Sequence, residues 1–346
     1  MKVSNRSTIH KRLKCFVEYI APDKEKRENI KRQSDSIRSC IERNAKEDGL
    51  TILSMPYSGS FAVNTGLRRS LLGNDEVEGQ DIDLAFILKD EDKDGNPLGC
   101  HVEIFKSYLN TCWSDKGDDI ETTKSSAFIK FTGTKLQFDT VPLIETRSKN
   151  IQKLIRTNGE ERQSSVEKHT EFVKSRNNSS NELEGVVKFN ECLRLIKWWK
   201  YQCQSESTVF SNESNKDKVP SFLLSLLCAH AYDNESVKAT YPETLAKWFG
   251  FLAHVLRHRK PVVFTDFIKK PNWDNDARWS VIDPMDETNN IVGNWGDFKI
   301  DELCDWFERG RDKMNQAIRH DREGDDHASL SCLIDIFGNS INNHCK

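Results

Sequence analysis

The chain has 346 residues, enough for about two domains at roughly 150 residues each. Its 51 Lys and Arg against 54 Asp and Glu leave a formal charge of −3, which excludes a protein-wide basic surface for gripping nucleic acid. An aromatic share of 9% excludes a disordered chain and calls for a packed core.

Residues 4–48 read as helical. Ser4 or Ser7 can cap the start, Pro22 opens a second segment running to about Lys46, and Gly49 closes it. At 1.5 Å per residue that second segment is about 37 Å long, a length suited to a spine across lobes. Its Lys24, Lys26, Arg27, Lys31, Arg32 and Arg38 could meet a polyanion, but Glu25, Glu28 and Asp35 are interleaved and favour a solvated outer face.

From 50 to 145 the texture is that of strands. Residues 81–88 (DIDLAFIL) form an apolar run opened by two carboxylates, and residues 127–131 and 136–144 flank the hairpin signal Thr132-Gly133-Thr134. Residues 145–184 are polar, and the Ser/Asn-rich stretch 175–181 reads as a mobile loop or lid flank. From Gly185 the pattern is helical, with Trp198, Trp199, Leu223, Leu226, Trp248, Phe249, Leu252 and Leu256 as expected core. The expected architecture is therefore α+β. A mixed-sheet lobe with its N-terminal spine helix fills 1–184, a helical lobe fills 185–346, and the active site lies between them.

The longest mostly apolar stretch, 219–232, is broken by Ser221, Ser225 and His230 and is shorter than the ~20 apolar residues of a membrane span. The basic N-terminus has no apolar run behind it, so it does not read as a secretory signal. Ten cysteines without a CxxC pair fit reduced thiols in a cytoplasm. His327, Cys332, His344 and Cys345 crowd the C-terminus as a candidate zinc set, in a spacing that matches no standard knuckle.

The chemistry-bearing residues lie in the strand region. Asp81 and Asp83, at i and i+2 of a strand, share one face about 7 Å apart. Two anions there are costly to bury unless a hard divalent cation such as Mg²⁺ binds them, although such pairs also begin loops and cap helices. Upstream, Ser58-Gly59-Ser60 is a turn that can offer backbone N–H groups and a hydroxyl to phosphate, or simply cap a helix. Downstream, Asp139 stands inside a strand that the hairpin returns antiparallel to residues 127–131. A lone strand Asp could just pair with a base, whereas three carboxylates beside a phosphate-binding turn make a far more specific set.

Gly59-Ser60, Asp81-Ile-Asp83 and FDTVP at 138–142 resemble the nucleotidyltransferase superfamily, with its polymerase-β-like sheet. CLRLIKWWK at 192–200 and VPSFLLSLLCAHAY at 219–232 resemble the helical lobe of oligoadenylate synthetase and cyclic GMP-AMP synthase, and IDPMDETNNIVGNW at 282–295 resembles the oligoadenylate-synthetase C-terminal domain. Over roughly residues 50–300 the match is with the CD-NTase family, the bacterial cyclic-oligonucleotide synthases of antiphage CBASS systems. The resemblance implies that Asp81, Asp83 and Asp139 are catalytic and hold two Mg²⁺ ions, with Mn²⁺ as a substitute. Gly59 and Ser60 would cradle the β- and γ-phosphates, Lys197 and Ser221 would reach the triphosphate, and Phe222 would stack on a base.

Each has a plainer role available. Lys197 can snorkel beside Trp198, Ser221 can be an N-cap after Pro220, and Phe222 can be core. Asp283, Asn289 and Asn290 read as structural rather than catalytic. Arg68 and Arg69 could approach phosphate, yet Asp75, Glu76 and Glu78 offer nearer partners. No zinc-ribbon insertion of the cyclic GMP-AMP synthase type is visible.

The implied activity joins NTPs, ATP among them, into a cyclic di- or trinucleotide and releases pyrophosphate. The enzyme would be a cytoplasmic monomer whose product is read by a separate effector, open to a regulatory partner protein. Two other readings compete. A transferase adding nucleotides to RNA, protein or a small-molecule hydroxyl would, for long RNA, need the contiguous basic track that this charge balance lacks. An inactive nucleotidyltransferase-fold sensor or scaffold would have no physical need for three carboxylates around an empty site.

Overall fold

A computed structural model describes residues 7–68, 70–72, 75–77, 81–114, 118–148, 150–183, 185–210, 218–273 and 276–345, with only the backbone described at 70–72, 75–77 and 81. In chain order the elements begin with α1 (Thr8–Ile20), α2 (Lys24–Glu47), β1 (Ile52–Ser54), α3 (Gly59–Ala62), β2 (Ser70–Leu72), β3 (Asp75–Val77) and β4 (Asp81–Leu88). There follow α4 (Val102–Trp113), β5 (Asp119–Thr122), β6 (Ala127–Lys130), β7 (Gln137–Glu145), β8 (Gln152–Ile155), β9 (Glu161–Ser164) and α5 (Val166–Leu183). The remainder is α6 (Phe189–Ser205), α7 (Ser221–Glu235), α8 (Tyr241–Arg257), β10 (Ile282–Asp283), β11 (Asp286–Asn290), α9 (Asp297–Glu323), α10 (Asp326–Phe337) and α11 (Ser340–His344). These group into two compact units, Pro22–Glu171 and Met1–Ala21 with Phe172–Lys346.

The first unit is built on a sheet of order β1-β4-β7-β6-β5, with β8 and β9 continuing from β7. β4 and β7 run parallel, and their neighbours pair with them antiparallel. The central pair sorts its residues by parity. Ile82, Leu84, Phe86 and Leu88 of β4 and Phe138 and Ile144 of β7 face a core filled by Ile30, Ile37 and Ile41 of α2 and Phe105 and Leu109 of α4. Each such side chain contributes about 1.5–3 kcal/mol by burial. On the other parity Ala85, Ile87 and Leu143 form a smaller apolar cluster. Asp83 and Asp139 share that second face, so the apolar run of both strands is what carries carboxylates at their start.

α2 matches the expected spine in extent. Asp23 caps it by accepting from the Lys26 N–H at 2.8 Å, and Gly49, at φ +77°, follows its end. One of its cations departs from the expected solvated face. The Arg38 side chain is only 16% exposed, and its guanidinium lies 4.2 Å from the centre of the Tyr57 ring, where the flat cation stacks on the aromatic face.

The polar stretch after 145 is not a loop. It forms the β8–β9 hairpin and α5, and α5 contains all of 175–181. Ser and Asn there find partners that a helix permits. The Ser175 hydroxyl donates to the Phe172 carbonyl, and the Ser180 hydroxyl donates to the Asn177 carbonyl while accepting from the Phe189 N–H. Arg176 fixes the inner face of the helix through Asp233 and Asp266.

In the second unit α1, capped by Ser7 on the His10 N–H, buries Ile9, Leu13, Phe16, Val17 and Ile20. Ser4 lies outside the described residues. The Phe16 ring meets Trp198 edge-on at 5.5 Å and Phe337 at 5.6 Å, so α1 packs with the C-terminal helices. Grouping by contact therefore differs from a division at 184/185: it assigns α1 to the helical unit and falls within α5. All eight expected core residues, from Trp198 to Leu256, are buried.

The thiol expectation is also revised. Cys15 bonds to Cys345 within the second unit, and Cys40 bonds to Cys112 within the first, while the other six cysteines are free. Cys345 is thereby removed from the candidate zinc set, and no group of three or more His, Cys, Asp or Glu that could hold a metal occurs among the described residues. No described helix is long and apolar enough to cross a membrane.

Candidate active site

The parallel register sets Asp83 directly beside Asp139 and Asp81 beside Gln137. Adjacent strands lie about 4.8 Å apart, so the 83 and 139 positions are nearest neighbours across the sheet. Asp81 opens β4 two positions earlier, at the same parity, and only its backbone is described.

The Gly-Ser turn is fastened to this place by backbone hydrogen bonds. The Ser58 N–H donates to the Asp83 carbonyl at 2.9 Å, and the Ala85 N–H donates to the Pro56 carbonyl at 3.0 Å. Tyr57 bridges Leu84 between them. At Gly59 the chain turns with φ +57°, and a Cβ built there would lie 1.9 Å from Asp83 Oδ2. Only glycine fits this close approach of backbone to carboxylate. Ser60, half-buried, follows in α3, and its carbonyl accepts from the Thr65 N–H at 2.9 Å.

Asp139 is 9% exposed and held at both oxygens. The Ser126 hydroxyl donates to Oδ1 at 2.8 Å and the Gln137 amide to Oδ2 at 3.1 Å. Burial pushes the Asp139 carboxyl above its ordinary pKa, and these two donors act in the opposite direction. The sequence reading missed Ser126 and Gln137. Gln137 was findable, two positions before Asp139 on the same strand face; Ser126 enters only through the β6–β7 register, which places the turn before β6 near Asp139.

The remaining expected residues belong to the helical unit. Lys197, in α6, is 5% exposed and lies close enough to the buried Cys228 thiol to offset part of the upward shift that burial imposes on it. Ser221 is the first residue of α7 and Pro220 is the N-cap, so the serine does not take the capping role that was its plainer alternative. Phe222 is 37% exposed and is not core.

Asp283, Asn289 and Asn290 make local hydrogen bonds of the kind the structural reading expects. Asp283 accepts from the Met285 N–H and the Asn289 amide, and Asn290 accepts from the Val281 and Val292 N–H groups while donating to the Trp279 carbonyl. Arg69 and Glu78 lie outside the described residues.

The donor set fits a hard divalent cation. It offers carboxylate oxygens with no sulfur or imidazole among them, in neighbouring register positions. The missing side chain at 59 lets the turn backbone pack directly against Asp83 Oδ2.

No protein-family model matches the chain. It is 24% identical over 324 residues to the cyclic AMP-AMP-AMP synthase of Escherichia coli strain MS 115-1, covering 91% of this chain and 93% of that protein. It is 23% identical over 275 residues to the CBASS oligonucleotide cyclase CdnC of Escherichia coli strain KTE188, covering 78% of this chain and 79% of that protein.

In fold it is similar to E. coli MS115-1 CdnC. In the complex of that protein with HORMA-deltaN the TM-score is 0.73, at 22% identity over 96% of this chain and 97% of the other. In the structure with ATP it is 0.72, at 22% identity over 96% and 98%. The Bradyrhizobium diazoefficiens CD-NTase CdnG, in complex with GTP, gives 0.69 at 13% identity over 98% of each chain. In sequence the chain is thus similar to cyclic-oligonucleotide synthases, and its fold is that of the CD-NTase structures over nearly its whole length.

Proposed function

We propose that this protein is a nucleotidyltransferase that joins NTPs, ATP among them, into a cyclic oligonucleotide and releases pyrophosphate. The observation that carries the reading is the Asp83–Asp139 register pair with Gly59 closed down on Asp83. Asp81, Asp83 and Asp139 would hold two Mg²⁺ ions, or Mn²⁺ in their place, which supply charge neutralisation at the phosphates and lower the pKa of the attacking ribose hydroxyl. The backbone at Gly59 and the Ser60 hydroxyl take the β- and γ-phosphates of the donor. Lys197 adds a positive charge and Ser221 a hydroxyl to the triphosphate, and the exposed Phe222 ring offers a stacking face to a base.

The hydroxyl oxygen of one nucleotide attacks the α-phosphorus of another, its proton leaves, and the bond to pyrophosphate breaks. Repetition on the linear product and closure onto its own end give the ring. The protein contributes positioning and charge complementarity, as in other phosphoryl transfers. Similarity over nine-tenths of the chain to a cyclic-trinucleotide synthase supports cyclisation over tailing of RNA. The same similarity supports a role in CBASS antiphage signalling, with the product read by a separate effector. The CdnC complex with HORMA-deltaN supports control by a partner protein.

The test is incubation with all four NTPs and Mg²⁺ or Mn²⁺, phosphatase treatment and mass spectrometry. A phosphatase-resistant cyclic product is expected, lost by about a thousandfold or more in Asp83→Asn. Undiminished product from that variant would overturn the assignment.

A further inference from the structure

The Asp139 carboxylate is backed by side-chain donors on both of its oxygens. We infer that Ser126, Gln137 and Thr123 are positioning residues for Asp139, forming a hydrogen-bond relay of fixed polarity that orients its carboxylate for metal and nucleotide. The inference rests on the metal-site reading given above.

The polarity follows from counting donors. The Thr123 hydroxyl oxygen accepts from two backbone N–H groups, Ser125 at 3.1 Å and Ser126 at 3.0 Å. A hydroxyl oxygen has two acceptor lone pairs and one proton to donate. With both lone pairs engaged, the Thr123 proton points to Ser126 Oγ, 2.9 Å away. Ser126 then directs its own proton to Asp139 Oδ1 at 2.8 Å. The chain of donors runs one way, from Thr123 to Ser126 to the carboxylate, and aligned hydroxyls strengthen one another.

Gln137 closes the other side by donating to Oδ2 at 3.1 Å. Its backbone is the register partner of Asp81, so one side chain belongs to the strand positions of two carboxylates. Ser126, at 5% exposure, and Asp139, at 9%, are shielded from water that could replace these bonds. Among the described residues each carboxylate oxygen has one side-chain donor, which leaves a further lone pair for a cation. A ligating group whose rotation is locked before its partner arrives is the usual work of such supporting hydrogen bonds.

The experiment uses the full chain and compares Ser126→Ala, Ser126→Thr, Thr123→Val, Gln137→Leu and Asp139→Asn. Two readouts are kept apart: steady-state kcat and KM for ATP, and Mn²⁺ affinity by electron paramagnetic resonance with a non-hydrolysable ATP analogue. Ser126→Ala is expected to lower kcat and weaken Mn²⁺ binding by about 10- to 100-fold each, with KM for ATP little changed. Ser126→Thr, which restores the hydroxyl, is expected to recover most of both.

Thr123 is exposed and Gln137 half-buried, so their variants are expected to fold and carry the test if Ser126→Ala does not. Both should show the same paired loss. A role in folding alone would lower the thermal midpoint and leave the Mn²⁺ affinity of the folded protein unchanged, and that result would overturn the inference. So would wild-type kcat and Mn²⁺ affinity in Ser126→Ala, Thr123→Val and Gln137→Leu while Asp139→Asn loses both. If Asp139→Asn itself keeps both, the metal-site reading fails first and takes this inference with it.

Discussion

Gly59 is the residue on which the site's geometry depends most directly. Its φ of +57° disfavours any side chain, and the space a methyl would need is taken by Asp83 Oδ2. Gly59→Ala must therefore move either the turn or the carboxylate. We expect activity to fall about 100-fold or more, since small displacements of positioned groups carry penalties of that size. Stability should fall by only about 1–2 kcal/mol, the scale of a strained backbone conformation. Gly133, in the exposed hairpin, has nothing within 4 Å of an added Cβ and serves as the control, with Gly133→Ala near neutral in both turnover and thermal midpoint. The Gly-Ser dipeptide was legible as a turn leading into a short helix. That the glycine faces Asp83 was not, because the approach depends on residues 56–58 lying along β4, a pairing with no local signature.

At the scale of elements, local signals located β4, β6, β7 and α2 well: short apolar runs and a hairpin turn marked the strands, and Pro22 and Gly49 bounded the helix. They failed at α5. Ser and Asn over 175–181 compete with helix formation in isolation, and the reading followed that local preference. The deciding contact is non-local. Arg176 reaches Asp233 at 2.9 Å and Asp266 at 3.0 Å, donates to the Phe172 carbonyl and stacks 3.9 Å from the Phe172 ring centre, and none of these partners marks a helix in the sequence. The arginine side chain is 7% exposed, but Asp233 is 36% and Asp266 26% exposed, so solvent screens part of the network. Arg176→Met is expected to destabilise the protein by about 2 kcal/mol, below the 3–5 kcal/mol seen when a fully buried pair is broken. Chemical denaturation should report that loss, and Arg176→Lys should recover only part of it, because an ammonium cannot serve both carboxylates in the forked geometry. An unchanged midpoint in Arg176→Met would show that α5 is held by its apolar contacts alone.

The whole molecule is organised by a return that no linear reading exposes. Capping and proline signals announced a helix before Pro22 but not what it packs against, and the structure packs it on α6 and on α10 near the other end of the chain. The Cys15–Cys345 bond spans 330 residues and fastens the same two ends, with His344 stacked on Tyr19 at 3.9 Å beside it. Cysteine spacing cannot supply such a pairing, since connectivity is fixed by the fold and not by the sequence interval. A cross-link closing a long loop restricts the unfolded chain most, and removing one typically costs about 2–4 kcal/mol. For a unit of this size that corresponds to a fall in thermal midpoint on the order of 10 °C. Cys345→Ser should therefore melt well below the unmodified chain in non-reducing buffer, and the two should converge once a thiol reductant is added. Alkylation of the unfolded, unreduced protein followed by mass spectrometry should label six of the ten cysteines. Labelling of all ten, with melting points already equal without reductant, would show instead that packing of α1 alone holds the two ends together.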